Sequence, residues 1–284
     1  MMMPNEWLDR ETSKSALEKL DEMVTLLGYE VNGTLWKKAF LVPDENATFF
    51  ETILKYEKTL SVYKLALFPQ MKIRNTWQLP AHMVNAFYSP VYNAFTIPLG
   101  IMGNSSRNTP AVNYGRLGSI IGHEISHGFD SYGRKFNEIG DFENWWTNFT
   151  EQGYDERSEC FLKQFNDVKF DEVDSELTLA ENIADSAGLK ASYLALQTQH
   201  GKLYLDRVAT GTRFTNKQLF FIAFAQNSCS RSTPEYDLLA HRTNTHAPDK
   251  YRVLGTLSNQ PEFAEAFQCK PTDTYNPKTK CSIW

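Results

Sequence analysis

The chain has 284 residues, 42% hydrophobic and 13% aromatic, enough apolar material for one large core or two small ones. Its formal net charge of −5 gives no electrostatic case for binding nucleic acid. No run of about eighteen apolar residues occurs, so no membrane span is expected. The opening MMMPNEW has no apolar signal region.

Residues 12–27 are amphipathic (Leu17, Leu20, Met23, Val24, Leu27), which predicts a helix ending at Gly28. A second helix is expected over 44–67. Two short strands, about 82–88 and 92–97, flank Ser89-Pro90 and are rich in Val, Phe, Tyr, Thr and Ile. Helical spacing returns over 112–128 and over 141–165, where Trp145 and Trp146 read as core. A helix over 178–197 sets Leu179, Ile183, Ala187, Leu189, Tyr193 and Leu194 at helical spacing. Residues 202–215 read as a loop, followed by helices near 216–228, 234–242 and 260–268. No internal repeat or low-complexity tract is present.

The run GHEISHGFD, Gly122 to Asp130, carries the strongest chemical signal. His123 and His127 are four residues apart, so on a helix both imidazoles share a face. Two such rings can hold one zinc ion at about 2.0–2.1 Å each, and a neighbouring carboxylate, Glu124, can take a proton from zinc-bound water. Chemistry of that kind cleaves peptide bonds. The motif alone also fits a helix with two histidines and a surface glutamate. Leu117, Ile120 and Ile121 favour a buried helix, and Gly128 is expected to end it in a left-handed cap.

A catalytic zinc commonly keeps three protein ligands and one water. Glu181 and Asp185 are four apart in TLAENIAD and share a helix face. One could bind zinc while the other accepts the free N–H of a zinc-bound histidine. Thr178 and Glu181 equally read as a capping box, which needs no metal, and Asp185 as a solvated residue.

HEISHGFD, ENIAD and NAFYSP (Asn85 to Pro90), with KQLFFIAFAQNSC, THAPDKYRVLGTLSNQPEFAEAFQC and the closing CSIW, together resemble the zinc metallopeptidases of the neprilysin and endothelin-converting-enzyme family. The N-terminal NEWLDRETSKSALEKL resembles the start of that family's catalytic half, so the resemblance covers nearly the whole chain. It implies an α+β, mainly α, zincin-like (thermolysin-like) catalytic domain over 1–284, with a small sheet and an HExxH helix. It implies one Zn2+ held by His123, His127 and Glu181, with Glu124 as general base and Asp185 orienting His123. His246 would stabilise the oxyanion with Asp130 as its partner, Arg252 would bind a substrate carbonyl, and Asn85 with the Ala86 backbone would hold the peptide as an added strand. Read without the resemblance, His246 and Arg252 fit surface loops, and Asn85–Ala86 a plain core strand.

The resemblance also implies a zinc endopeptidase acting on small peptides, from a membrane-anchored ectoenzyme or a secreted parent, hence extracellular or at the cell surface. The chain would be the C-terminal part of a longer architecture, without the N-terminal helical lid. A truncated, non-enzymatic zinc-binding fragment is the competing expectation; an unrelated thermolysin-type peptidase is a weaker one. Four cysteines and sequons at Asn32, Asn46, Asn104 and Asn148 suit an oxidising, secretory compartment. By resemblance Cys160 pairs with Cys281, and Cys229 and Cys269 lack partners. The departures fall around the pocket for the residue after the scissile bond. Ile101 and Ile120 remain, but Ser119, Asn227 and Ser228 stand where the family carries bulkier apolar groups, and IMGNSSRNTP replaces an apolar, proline-rich stretch.

Overall fold

Helix α1, Arg10–Asp21, begins where the Asp9 side chain accepts the Thr12 backbone N–H. The computed structural model describes residues 6–29, 46–67, 74, 77, 79–103, 105, 108–167, 170, 173–271 and 273–284. The expected 12–27 helix is shorter than its apolar periodicity suggested. After Asp21 the chain turns, and Val24–Gly28 forms strand β1. Val24 and Thr25 are β-branched, and the segment gains a full ladder in the sheet, so tertiary pairing overrides helical spacing. Gly28, at φ 84°, closes a strand rather than a helix.

Helix α2, Phe49–Leu67, is opened by a reciprocal cap. Thr48 N–H donates to Glu51 Oε2 at 2.9 Å, and Glu51 N–H donates to Thr48 Oγ1 at 3.3 Å. Residues 44 and 45 of the predicted helix, and the sequons at Asn32 and Asn104, lie outside the described residues. Asn46 and Asn148 are both exposed.

Strands β2 (Phe87–Ser89) and β3 (Ala94–Pro98) are joined by a turn in which Asn93 adopts φ 43°. The sheet has the order β1-β3-β2. β1 runs parallel to β3 from Val24↔Ala94 to Gly28↔Pro98, and β2 runs antiparallel to β3 from Phe87↔Thr96 to Ser89↔Ala94. Among the described residues β2 is therefore an edge strand. Tyr88, Phe95 and Ile97 pack beneath Ile120, Ile121 and Ile125, so the sheet buries one face against the motif helix.

That helix is one rod in three parts. A turn, Pro110–Asn113, is capped by Thr109 and followed by a π turn, Tyr114–Gly118, and then by α3, Ser119–Ser126. His127–Phe129 tightens into a 3-10 turn. Gly128 is not among the residues with positive φ, so the expected left-handed cap does not form.

Residues 141–147 are not helical. Phe136 and Phe142 form an isolated bridge, and the helix predicted over 141–165 starts only after Thr147 caps it, as α4, Asn148–Phe165. Trp146 is buried with Trp7, Phe129, Tyr154 and Trp284, as expected of a core residue. The Cys160–Cys281 disulfide ties α4 to the C-terminus across 121 residues, a closure that stabilises by about 4–5 kcal/mol in the chain-entropy picture. Cys229 and Cys269 are free.

Helix α5, Leu179–Asp206, runs further than predicted, with a break at Gly201 (φ 76°). The first five residues of the 202–215 segment are thus helix. Its remainder is a turn closed by the Val208↔Thr215 bridge. Helices α6 (Asn216–Asn227), α7 (Pro234–Thr243) and α9 (Pro261–Ala266) lie where expected, and α8 (Asp249–Ser258) was not foreseen. Leu189, Tyr193 and Leu196 of α5 pack on Phe220, Phe221 and Phe224 of α6 and on Leu257 of α8. The architecture is mainly helical with one small mixed sheet. Among the described residues no helix is long and apolar enough to cross a membrane.

Candidate metal centre

The site is set by how closely α3 and α5 cross. A Cβ on Gly122 would lie 2.5 Å from the Gly188 carbonyl oxygen, and one on Gly188 would lie 2.4 Å from the His123 backbone nitrogen. Only two glycines allow that approach. It brings His123 on the inward face of α3, and His127 in the 3-10 turn that continues it, against the first turns of α5 (Glu181, Asp185).

His123 Nε2 and His127 Nε2 are 2.9 Å apart. Glu181 Oε2 lies 3.2 Å from the first and 3.5 Å from the second. The opposite ring nitrogens face carboxylates: His123 Nδ1 is 2.8 Å from Asp185 Oδ1, and His127 Nδ1 is 2.6 Å from Asp130 Oδ2. The hydrogen bond to Asp130 assigns the proton of a neutral His127 to Nδ1, and the close Asp185 carboxylate favours the same tautomer in His123 electrostatically, without an aligned hydrogen bond. Two bare Nε2 lone pairs and a carboxylate oxygen then converge on one point. Glu181 Oε2 is buried and has no aligned hydrogen-bond donor. Such a cluster needs a cation, and its nitrogen and oxygen donors suit zinc. Among the described residues, these are the three potential ligands whose donor atoms lie mutually within 4.8 Å.

The electrostatics agree. Burial disfavours charge on both imidazoles, yet Asp185 at His123 and Asp130 at His127 override it, so both rings bind protons more tightly than a free imidazole. A metal must displace those protons, so its affinity strengthens as pH rises. Burial also opposes the Glu181 charge, but the imidazoles of His123, His127 and His246 hold its carboxyl well below the usual range. Burial pushes the Glu124 carboxyl above that range, and the neighbouring imidazoles oppose this only in part.

Thr178 does not cap α5 with its side chain. Its hydroxyl donates to the Asp174 carbonyl and accepts from Asn182 Nδ2. The capping-box reading of Thr178 and Glu181 therefore fails, which leaves Glu181 turned to the histidines. Asp185 is not a solvated residue either. Arg252 on α8 grips it with Nε at 2.8 Å and Nη2 at 2.7 Å. Burial works against the Asp185 charge, but this guanidinium, and then His123, keep its carboxyl well below the ordinary range.

His246 reaches the same centre, with Nε2 3.0 Å from Glu181 Oε2 and Nδ1 3.2 Å from Asn244 Oδ1. Its expected partner Asp130 is engaged elsewhere. Asp130 Oδ2 faces His127, while Oδ1 accepts the backbone N–H groups of Tyr132 at 2.8 Å and Gly133 at 2.6 Å. The pairing of Asp130 with His246 is thus corrected. The i, i+3 spacing of His127 and Asp130 was the available signal. Asn85 Oδ1 accepts the Ala86 N–H at 2.9 Å, just ahead of the β2 edge.

Asn85, Ala86, His123, Glu124, His127, Asp130, Glu181, Asp185, His246 and Arg252 line one cavity of about 760 Å³, together with Ile101, Ser119, Ile120 and Asn227. Sequence reasoning did not find the Asp185–Arg252 fork, because α8 was missed. It also missed the buried Lys19, which sits behind Asp130.

Peptidase family M13 matches residues 85–283. Neprilysin-1 of Caenorhabditis elegans is 37% identical over 302 residues, covering 100% of this chain and 40% of the relative. Human endothelin-converting enzyme 1 is 37% identical over 293 residues, covering 98% of this chain and 37% of that protein. Human neprilysin is 35% identical over 291 residues, at 98% and 39% coverage. The crystal structure of PepO from Lactobacillus rhamnosis superposes with a TM-score of 0.85 at 32% identity, covering 99% of this chain and 44% of that one. The zinc metalloprotease Zmp1 of Mycobacterium tuberculosis, at 24% identity and TM-score 0.83, shares the fold over 100% of this chain and 44% of its own. The chain spans about two-fifths of the length of the relatives it matches. This chain belongs to peptidase family M13, whose model matches it from Asn85, ahead of β2, to Ile283.

Proposed function

We propose that this chain is a zinc-dependent endopeptidase domain that hydrolyses peptide bonds of small peptides. The observation that carries the reading is the convergence of His123, His127 and Glu181 on one point, with Glu124 beside them and an open sheet edge on the same cavity. A zinc ion held there supplies Lewis acidity towards a carbonyl and an acidified water. Glu124, kept in a buried site that raises its affinity for a proton, takes the water's proton and hands it to the leaving amine. His246 sits 3.0 Å from Glu181, close enough for its ring N–H to meet charge developing on the carbonyl oxygen. Asp185 holds His123 in one tautomer and is itself held by Arg252, so the guanidinium orders both the ligand and the cavity wall. Asn85, Ala86 and the β2 edge offer an extended substrate the unpaired backbone groups of a strand.

The Cys160–Cys281 bridge supports placement of the protein in an oxidising compartment, outside the cell or at its surface. A second reading is a zinc-binding chain that does not hydrolyse peptides by itself, since these residues span two-fifths of the relatives' length. Metal analysis together with hydrolysis of short peptides decides between them. The first reading expects one zinc per chain and turnover that is lost in Glu124→Gln while the zinc stays. Zinc without turnover in the wild type supports the second, and no zinc defeats both.

A further inference from the structure

We propose that Lys19 is a positioning residue for the metal centre, its ammonium holding the segment from Gly128 to Phe136 so that Asp130 is aimed at His127. The inference rests on the zinc reading above.

Lys19 lies on the inner face of α1 and is 1% exposed. An ammonium has three donors and no acceptor. Here the three donors meet three backbone carbonyls: Gly128 at 2.6 Å, Gly133 at 2.8 Å and Phe136 at 2.6 Å. The rings of Phe129 and Trp145 close the cage, with centroids 5.4 and 5.6 Å from Nζ. A buried charge costs several kcal/mol unless its hydrogen bonds are complete, and here they are. The converse is as telling. Three carbonyl dipoles directed at one point repel one another unless a cation lies there, so the loop keeps this shape because of the ammonium.

Two of the three carbonyls bracket Asp130 in sequence. The same segment presents the Tyr132 and Gly133 N–H groups to Asp130 Oδ1, which leaves Oδ2 for His127. The segment also lies directly on the ligand's backbone: a Cβ on Gly133 would stand 1.7 Å from the His127 carbonyl oxygen. Burial draws the Lys19 ammonium down to about pKa 7, and the Asp130 carboxylate is the larger of the two charges opposing this. The cage is fixed from behind as well. The Lys19 carbonyl accepts Asn93 Nδ2 at 2.9 Å, that same amide nitrogen donates to the Glu138 carbonyl, and Tyr88 donates its hydroxyl to Asn93 Oδ1. Helix α1, the β2–β3 turn and the loop after the motif helix thus form one hydrogen-bonded block behind His127.

The test is zinc affinity in the full 284-residue chain, by competition with a chelator, for wild type, Lys19→Met, Asp130→Asn and the double variant. Methionine keeps the stem volume and removes the cation. Cobalt(II) substitution reports ligand geometry in the same proteins. Lys19→Met should retain the Cys160–Cys281 bond and weaken zinc binding by about 10–100-fold, the range seen for residues that orient metal ligands. It should shift the cobalt absorption and add little once Asp130 is already Asn. If Lys19→Met does not fold, Lys19→Gln, whose amide keeps two donors for the same carbonyls, carries the test with the same readouts. Unchanged zinc affinity in the folded variant, or a loss that adds fully to that of Asp130→Asn, overturns the proposal. A wild type that binds no zinc defeats the zinc reading instead.

Discussion

Gly122 and Gly188 meet backbone to backbone where α3 crosses α5, and that contact sets the spacing of the metal centre. A methyl on Gly188 would stand 2.4 Å from the His123 nitrogen, far inside van der Waals distance. Gly188→Ala should therefore push the helices apart. Overpacking of this kind costs about 1–3 kcal/mol of stability, readable as a lower denaturant midpoint. The centre should suffer more than the fold, with zinc affinity falling at least tenfold, because His123 and Glu181 sit on opposite sides of the crossing. A Gly188→Ala protein with wild-type zinc affinity would show that the crossing does not set the ligand spacing.

Glu181→Gln preserves the shape of α5 but removes the carboxylate that faces His123, His127 and His246. Metal analysis after dialysis should find strongly reduced zinc. The helix should be unaffected, since the Thr178 side chain makes no cap with this residue. Equal zinc retention would remove Glu181 from the ligand set.

Asp9 joins α1 to α4. It caps Thr12 and accepts the hydroxyls of Thr147 and Thr150. Burial raises its pKa, but those hydroxyls and the Thr12 N–H outweigh this and hold it at about 2, below its ordinary 3.8. A depressed carboxyl stabilises the fold above its unfolded pKa. That contribution should be full at neutral pH and drain away as pH falls from about 4 through 2. Asp9→Ala should cost about 0.5–2 kcal/mol at pH 7, as loss of a helix cap does. Its unfolding curve should converge with that of the wild type by pH 2. A gap that persists undiminished at pH 2 would assign the effect to packing.

The wall of the cavity near α3 is polar but largely self-satisfied. Ser119 donates its hydroxyl to the Gly115 carbonyl at 2.7 Å, and Asn227 Nδ2 donates to the Arg116 carbonyl at 3.0 Å. With Ser228 also lining the cavity, these three positions set hydroxyl and amide groups beside the apolar Ile101, Ile120 and Phe224, which weakens the reward for a large side chain. Peptides varied at the residue after the scissile bond should show a shallow preference, with small and polar residues tolerated. The discrimination should stay within about 1–3 kcal/mol. Asn227→Leu should steepen it towards Phe and Leu. A kcat/KM already rising steeply towards those residues in the wild type would mean that Ile101, Ile120 and Phe224 dominate the pocket instead.

Much of this protein was readable from its residues alone. The four-residue spacing of His123 and His127, and of Glu181 and Asp185, determined which side chains share a helix face, because that depends only on the pitch of the helix. Helical periodicity located α4, α5 and α6 to within a few residues at most ends. The tertiary structure decided what local pattern leaves degenerate. Val24–Gly28 has the apolar spacing of a helix end, yet pairing with β3 makes it a strand. Glu181 could have been a cap or a ligand, and only the crossing of α5 over α3 turns it to the histidines. Asp130 was expected beside His246, and the loop caged around Lys19 gives it to His127. In each case the choice depends on contacts between residues far apart in the chain, whose energies no local window of sequence contains.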